Sequence, residues 1–102
     1  MTIQEIRTRN FTVRITAEPD LDADLSYDET GEVARNVASG KWICFAARAV
    51  VSFHGVEIAE RWLGECIYED PMQFERRQRR DLVSDAIREA RDFLADAKEV
   101  AI

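Results

Sequence analysis

Residues 9–17 alternate between apolar and polar positions, and residues 41–53 carry an apolar residue at every odd-numbered position from 43 to 53. A period of two residues with many β-branched side chains is typical of a β-strand that buries one face. Both stretches are therefore predicted to be strands. The apolar positions are Phe11, Val13 and Ile15 in the first stretch and Ile43, Phe45, Ala47, Ala49, Val51 and Phe53 in the second.

A β-hairpin is predicted over residues 41–67, because His54-Gly55 separates the second strand from another β-rich run. Two-residue links that end in Gly form tight turns and set the register of the two strands. Gly64 interrupts the returning strand, which is typical of a bulge or bend. The predicted pairs are Phe53 with Val56, Val51 with Ile58 and Ala47 with Trp62, and Glu60 opposite Ala49 is the one misfit on the apolar face.

A long amphipathic helix is predicted over residues 71–98. Asp70 can accept hydrogen bonds from unpaired backbone N–H groups, and Pro71 suits the first helical position. Apolar residues then recur at the spacing of a helix that buries one face. They are Leu82, Val83, Ala86, Ile87, Ala90, Phe93, Leu94 and Ala97. A short helical turn is also predicted at 33–39, before Gly40.

These elements indicate one α+β domain over residues 1–102: an antiparallel sheet of three strands, or of four, with the long helix packed on one face. A chain of 102 residues is short for two domains, and 46% apolar residues is too many for general disorder. No stretch approaches the ~20 apolar residues of a membrane helix. The first residues lack the apolar core of a signal peptide. We therefore expect a cytoplasmic protein without membrane contacts.

The net charge is concentrated in one short segment. The chain carries 20 acidic and 14 basic side chains, a formal net charge of -6. Residues 18–32, here called the acidic segment, hold seven of these acids and no Lys or Arg, so the rest is nearly neutral. Spaced carboxylates imitate phosphates and attract basic protein surfaces. The predicted binding residues are Glu18, Asp20, Asp22, Asp24, Asp28, Glu29 and Glu32.

The acidic segment has two alternative interpretations. One is a solvated loop without a binding role. The other is a calcium site, because Asp20, Asp22 and Asp24 form an Asp-x-Asp-x-Asp pattern. An EF-hand loop also needs Gly at its sixth position and Glu at its twelfth, where this chain has Leu25 and Gly31. We therefore expect no metal ion and no other cofactor.

Four arginines, Arg76, Arg77, Arg79 and Arg80, form a basic cluster near the start of the predicted helix. They are a secondary candidate surface for an acidic partner or for phosphates. Nucleic acid is not the expected partner, because no aromatic residues are interleaved with the cluster. The alternative is a solvated helix face with i,i+4 ion pairs. The candidate pairs are Glu75 with Arg79 and Arg77 with Asp81.

The chain offers few residues for catalysis. Its only histidine, His54, lies at the predicted turn, and its four glycines form no phosphate-binding pattern. No second group is predicted to converge on His54, as a nucleophilic site requires. Cys44 and Cys66 lie on paired strands, where two free thiols and a disulfide both remain open. We therefore expect that the chain is not an enzyme.

The second face of the predicted sheet is more apolar than an open surface usually is, while one helix covers only one face. Either the N-terminal and acidic segments cover it, or a second copy does so and forms a homodimer. The latter is our alternative function, a structural or regulatory dimer. The predicted dimer face consists of Trp42, Ala46, Val50, Ala59 and Leu63.

The segment 62–69, with its Leu63-Gly64-Glu65-Cys66-Ile67-Tyr68 run, resembles small uncharacterised proteins of bacteriophages and mobile elements, which show Leu-Gly-x-Cys-x-Tyr before an amphipathic helix. The resemblance extends to Asp24-Leu25-Ser26-Tyr27, to Phe74 and to parts of 81–94, about half of the chain. The arginine cluster departs from the pattern, which has aromatic residues there. The matching residues are packing residues, so no activity follows from them.

The resemblance implies a phage or mobile-element setting, in which small acidic proteins often block host defence proteins. The leading expectation is therefore a non-enzymatic interaction protein that binds a basic host protein through the acidic segment. A CRISPR complex or a restriction enzyme, both of which bind nucleic acid, would be the kind of host system inhibited.

Overall fold

The computed structural model describes residues 1–100 and shows an α+β fold, which confirms the predicted fold class. Four strands form one antiparallel sheet in the order β1-β2-β3-β4, so the fourth strand is present. The long helix packs on β3 and β4. The strands are β1 (Thr2–Arg7), β2 (Thr12–Pro19), β3 (Ile43–Phe53) and β4 (Val56–Tyr68), and the helices are α1 (Glu32–Ala38) and α2 (Arg76–Val100).

The core lies between one face of the sheet and α2. The odd-numbered residues of β2 and β3 share this face, as their alternation predicted, and Val13, Ile15 and Val51 are fully buried. Four alanines meet in the same cluster, and small side chains allow a helix backbone to approach a sheet closely. They are Ala47 and Ala49 of β3 and Ala86 and Ala90 of α2.

The predicted hairpin register is confirmed only at its first pair, Phe53 with Val56. An extra residue at Ile58 shifts the register, so Val51 pairs with Ala59, and the prediction beyond the turn was wrong. The shift moves Trp62 away from the helix side to a position opposite Arg48. A bulge adds one unpaired residue to the strand. Each side chain after it therefore lies on the opposite face of the sheet from the one that an unbroken register predicts.

A second bulge confirms the irregularity predicted at Gly64. Two residues of β4, Gly64 and Glu65, lie between the pairs Ala47 with Leu63 and Phe45 with Cys66. Glu65 has a φ angle of 54°, a left-handed conformation that is rare for residues other than glycine. With both bulges, Cys44 lies opposite Ile67 and not opposite Cys66, and both thiols are free.

The start of α2 differs from the prediction. Asp70 accepts a hydrogen bond from the backbone N–H of Met72, as predicted, but it caps only a 3-10 turn over Pro71–Gln73. Phe74 then adopts extended backbone angles and is buried, 2% exposed, with its ring near Phe45 and Tyr68. The α-helix begins only at Arg76, because the chain turns inward to bury this aromatic ring.

Candidate interaction surfaces

The acidic segment is tied to the sheet at its first residues. The backbone N–H of Asp20 donates to the carbonyl of Cys44 over 3.4 Å. The Oδ2 atom of Asp20 accepts from the backbone N–H of Glu65 over 3.0 Å, at the second bulge of β4. The segment therefore passes from β2 across the end of β3 to β4. Asp20 is a structural residue that satisfies a donor left unpaired by the bulge.

Two further carboxylates shape the turns of the segment. Asp24 accepts from the backbone N–H of Ser26, and Asp28 accepts from Thr30 and from the backbone N–H of Val33 at the start of α1. The hydroxyl and backbone N–H of Ser26 lower the pKa of Asp24. Hydrogen bonds from the Val33 backbone and then from Thr30 lower the pKa of Asp28. Both groups therefore stay charged at neutral pH and into mild acid.

The remaining carboxylates of the segment divide into one bonded and three free groups. Glu18 accepts a hydrogen bond from the hydroxyl of Thr16. Within the described residues, no hydrogen bond or ion pair engages the exposed carboxylates of Asp22, Glu29 and Glu32. These three are therefore available to a partner, and sequence alone could not separate them from the four that support the fold.

Among the side chains that the structure describes, those of residues 1–98, no group of three His, Cys, Asp or Glu could hold a metal ion. The Asp-x-Asp-x-Asp pattern is therefore not gathered into a cage, because Asp20 is directed to β4 while Asp24 is used in its own turn. The calcium interpretation has no support from this geometry. An EF-hand needs its oxygen ligands to converge on one point.

The pKa of the Cys44 thiol responds to the negative charge near the acidic segment. Burial is the main cause that raises the pKa of its thiol, and the carboxylates of Asp20 and Glu65 raise it further. Burial also raises the pKa of Cys66, to which Glu65 does not contribute. Glu65, whose backbone N–H donates to Asp20, therefore adjoins the acidic segment in the fold, although it lies far from the segment in sequence.

We expect the substitution Glu65→Gln to accelerate the alkylation of Cys44 by iodoacetamide at neutral pH. Loss of a neighbouring negative charge lowers the thiol pKa, and the thiolate is the reacting species. Mass spectrometry of the two cysteine peptides over time measures both rates in one sample. The rate at Cys66 serves as the internal control and should not change; equal acceleration at both cysteines would instead indicate a general loosening of the sheet.

The arginine cluster does not form the ion pairs predicted for a solvated helix face. Neither Glu75 with Arg79 nor Arg77 with Asp81 is among the salt bridges of the described residues. Glu75 precedes the first residue of α2 and its carbonyl accepts from the backbone N–H of Arg79 over 2.9 Å, but the two side chains do not pair. The side chain of Arg79 turns back toward the preceding loop instead.

Arg79 holds the start of α2 in place. Its guanidinium donates to the carbonyls of Phe74 (2.8 Å) and Met72 (3.2 Å) and to the side chain of Gln4 in β1 (3.3 Å). The guanidinium carbon also lies 5.8 Å from the centre of the Phe74 ring, within the range of a cation–π contact. Arg79 is thus a structural residue, unlike the other three arginines.

A groove of about 510 Å³ separates β1 from the first turns of α2. It is called the arginine groove below. Gln4 and Ile6 of β1 form one wall, and Arg76, Arg79, Arg80 and Ser84 of α2 form the other. Arg77 is outside it. Of the four predicted arginines, Arg76 and Arg80 are therefore exposed in the groove, and Arg79 is structural. Arg77 lies on the outer surface of the helix.

The predicted dimer face is not one surface. Ala59 and Leu63 pack against the core on the helix side, because the bulge at Ile58 exchanges the two faces of β4. Of the others, Val50 is already buried within the single chain at 8% exposure, and Ala46 is half-buried. Trp42 lies half-buried before β3. The homodimer therefore stays a prediction, and the geometry does not favour it.

The outer face of the sheet carries paired charges where an apolar surface was predicted. Arg48 donates to Glu60 over 2.7 Å and lies 5.5 Å from the centre of the ring of Trp62, which is 52% exposed. Arg48 lowers the pKa of Glu60 through this hydrogen bond. Glu5 and Arg14 form a second pair on β1 and β2. Glu60, the misfit of the predicted register, thus has a partner on the opposite face.

His54 lies at the tip of the β3–β4 turn, as predicted. It has a φ angle of 50° and Gly55 has one of 79°, which are the positive angles of a primed two-residue turn. The rings of His54 and Phe53 are in edge-to-face contact. The turn therefore accounts for this histidine as a surface residue of the hairpin.

No helix in the described part of the chain is long and apolar enough to cross a membrane. Comparison with known protein families, curated proteins and solved structures found no match. The two charged surfaces are therefore the structural features that bear on function.

Proposed function

We propose that this chain is a non-enzymatic interaction protein that binds a basic surface of a partner protein through its acidic segment. One observation supports this most directly. One set of carboxylates, Asp20, Asp24 and Asp28, fixes the shape of the segment through hydrogen bonds. A different set, Asp22, Glu29 and Glu32, is exposed and forms no such bonds within the described residues. A segment with fixed turns loses less conformational entropy on binding than a flexible loop does.

The class of partner that we propose is a host protein that binds nucleic acid, in keeping with the resemblance to phage and mobile-element proteins. Charge complementarity supports this choice, since a surface shaped for phosphates attracts spaced carboxylates. Blocking such a surface would inhibit the host protein without any chemical step. A CRISPR complex or a restriction enzyme belongs to this class.

The first test measures binding of a fluorescent oligolysine peptide by anisotropy at low and high salt. In the variant Asp22→Asn/Glu29→Gln/Glu32→Gln, we expect affinity to fall about tenfold, since exposed ion pairs contribute about 0.2–1 kcal/mol each. The control Glu57→Gln/Glu89→Gln/Asp92→Asn changes the same number of exposed charges outside the segment. Equal weakening in both variants would mean that only net charge matters, which contradicts the proposal.

A second measurement tests the class of partner. The chain is added to duplex DNA that is bound by a purified bacterial histone-like protein, and DNA release is followed by gel shift. We expect the wild-type chain and the control variant to release the DNA, and the segment variant to fail. Binding of oligolysine without release of DNA by any form would leave the acidic surface in place and refute this class of partner.

A further inference from the structure

We infer that the arginine groove is a docking site for the acidic segment of a second copy of this chain. The first reason is that the charge of the groove is unbalanced. No acidic residue lies in the first turn of α2, and no carboxylate among the described residues forms a salt bridge with Arg76 or Arg80. Positive side chains at the start of a helix also oppose the helix dipole.

The groove has features beyond its charge that suit an extended peptide segment. One wall is β1, the strand at the edge of the sheet, whose outer backbone groups have no neighbouring strand. Ile6 supplies an apolar contact, and Gln4 and Ser84 supply hydrogen-bonding groups beside the arginines. Guanidinium groups bind carboxylates through two parallel hydrogen bonds. An acidic peptide therefore fits the walls of the groove and its charge.

The chain contains a segment of matching chemistry, which the single molecule attaches to the opposite edge of its sheet. Asp20 ties the acidic segment to β4, and the groove is bounded by β1. These strands are the two opposite edges of the sheet, three strand spacings of about 4.8 Å apart. None of the salt bridges among the described residues joins Asp22, Glu29 or Glu32 to the arginines of the groove, so these carboxylates remain available to the groove of another copy.

This contact joins two different surfaces, so two copies that exchange both contacts form a two-fold dimer, whereas one-way contacts propagate from copy to copy. One-way, head-to-tail contacts of this kind give rings or open chains. The inference rests on the proposed function, because it assigns a partner to the same acidic segment. A second copy and a foreign basic protein would then compete for these carboxylates.

Sedimentation velocity at about 0.1 M and about 1 M salt tests the inference. The screening length is about 10 Å at 0.1 M salt, which weakens the repulsion between two negatively charged chains but leaves ion pairs in direct contact. It falls to about 3 Å at 1 M salt, where these ion pairs are weakened as well. We expect assemblies of the wild-type chain at 0.1 M that dissociate at 1 M. A wild-type chain that is monomeric at both concentrations overturns the inference.

Charge reversal identifies the two surfaces. The groove variant Arg76→Glu/Arg80→Glu and the segment variant Asp22→Arg/Glu29→Arg should each associate at least about tenfold more weakly. Mixing the two restores assembly, because each surface then meets its opposite on the other variant. The chain with all four substitutions should also assemble. If the variants are folded but neither the mixture nor the chain with all four substitutions assembles, the proposed contact is wrong.

Two controls separate this inference from other interpretations. The variant Arg9→Glu/Arg91→Glu makes the same charge change outside the groove and should assemble as the wild type does. The groove variant keeps its acidic segment and should still bind the oligolysine peptide. Peptide binding by a wild-type chain that never assembles refutes only this inference, and assembly without peptide binding refutes only the proposed function.

Nucleic acid is the competing ligand for the same arginines. A wild-type chain that stays monomeric but retards duplex DNA in a gel, with retardation lost in the groove variant, would replace the second copy by nucleic acid. We expect no retardation at 0.1 M salt, because the chain carries a net charge of -6 and repels the duplex.

Discussion

The substitution Phe45→Ala should lower the free energy of unfolding by about 3–5 kcal/mol, the usual loss when a buried aromatic side chain is removed. Phe45 is 1% exposed, and its ring centre lies 6.0 Å from that of Tyr68 and 6.1 Å from that of Phe74. The loss should appear as a lower midpoint in urea denaturation with an unchanged slope. This cluster also anchors the loop from which α2 and its arginines start.

The matched control is Phe93→Ala in α2. The helical pattern assigned Phe93 to the buried stripe, but the residue is 50% exposed, so its removal should change stability by under about 1 kcal/mol. If Phe45→Ala is too unstable to purify, Phe45→Leu should still fold with a smaller loss than Phe45→Ala, because leucine leaves a smaller cavity. Similar losses for Phe45→Ala and Phe93→Ala would contradict the core described here.

Arg79→Ala should lower the free energy of unfolding by about 2 kcal/mol, since hydrogen bonds to charged groups contribute about 1.5–3 kcal/mol. The variant removes the hydrogen bonds to Met72, Phe74 and Gln4 together with the cation–π contact. Urea denaturation measures the loss. Arg79→Lys should recover little of it, because an ammonium group cannot reproduce the planar geometry of the guanidinium.

Arg77→Ala is the control for this experiment, because it removes the same type of side chain from the exposed surface of α2. Its effect should stay within about 0.5 kcal/mol, and removal of a positive charge near the start of the helix favours a slight gain. Full recovery by Arg79→Lys would show that the charge of Arg79 matters and that its hydrogen-bonding geometry does not.

The strands that sequence analysis identified best are those without bulges. In β3 every odd-numbered residue is apolar, and all of its pairs with β2 follow one register. In β1, Ile3 is buried and Ile6 is packed on the core, although they are three residues apart. A register shift between Thr2 and Gln4 explains this spacing, which resembles a helix more than a strand. The first strand therefore gave no alternating signal.

For the two charged surfaces, the sequence showed where the charges lie, and the structure showed which of them are used within the fold. The acidic segment was evident from the run of acids between residues 18 and 32. Its separation into structural and available carboxylates depends on which backbone N–H groups come within reach, as with Asp20 and Glu65. The partnership of Arg79 with Gln4 joins residues 75 positions apart, a separation that no local pattern shows.

Local chemistry by itself determined the α+β class, the turn at His54-Gly55, the bulge near Gly64 and the concentration of charge in one segment. These features depend on a few neighbouring residues, whose period, turn geometry and charge are visible in order along the chain. Only the tertiary structure decided the face of Trp62, Ala59 and Leu63 and the role of each charged group. One bulge at Ile58 exchanged those faces, because side chains in a strand alternate with a period of two.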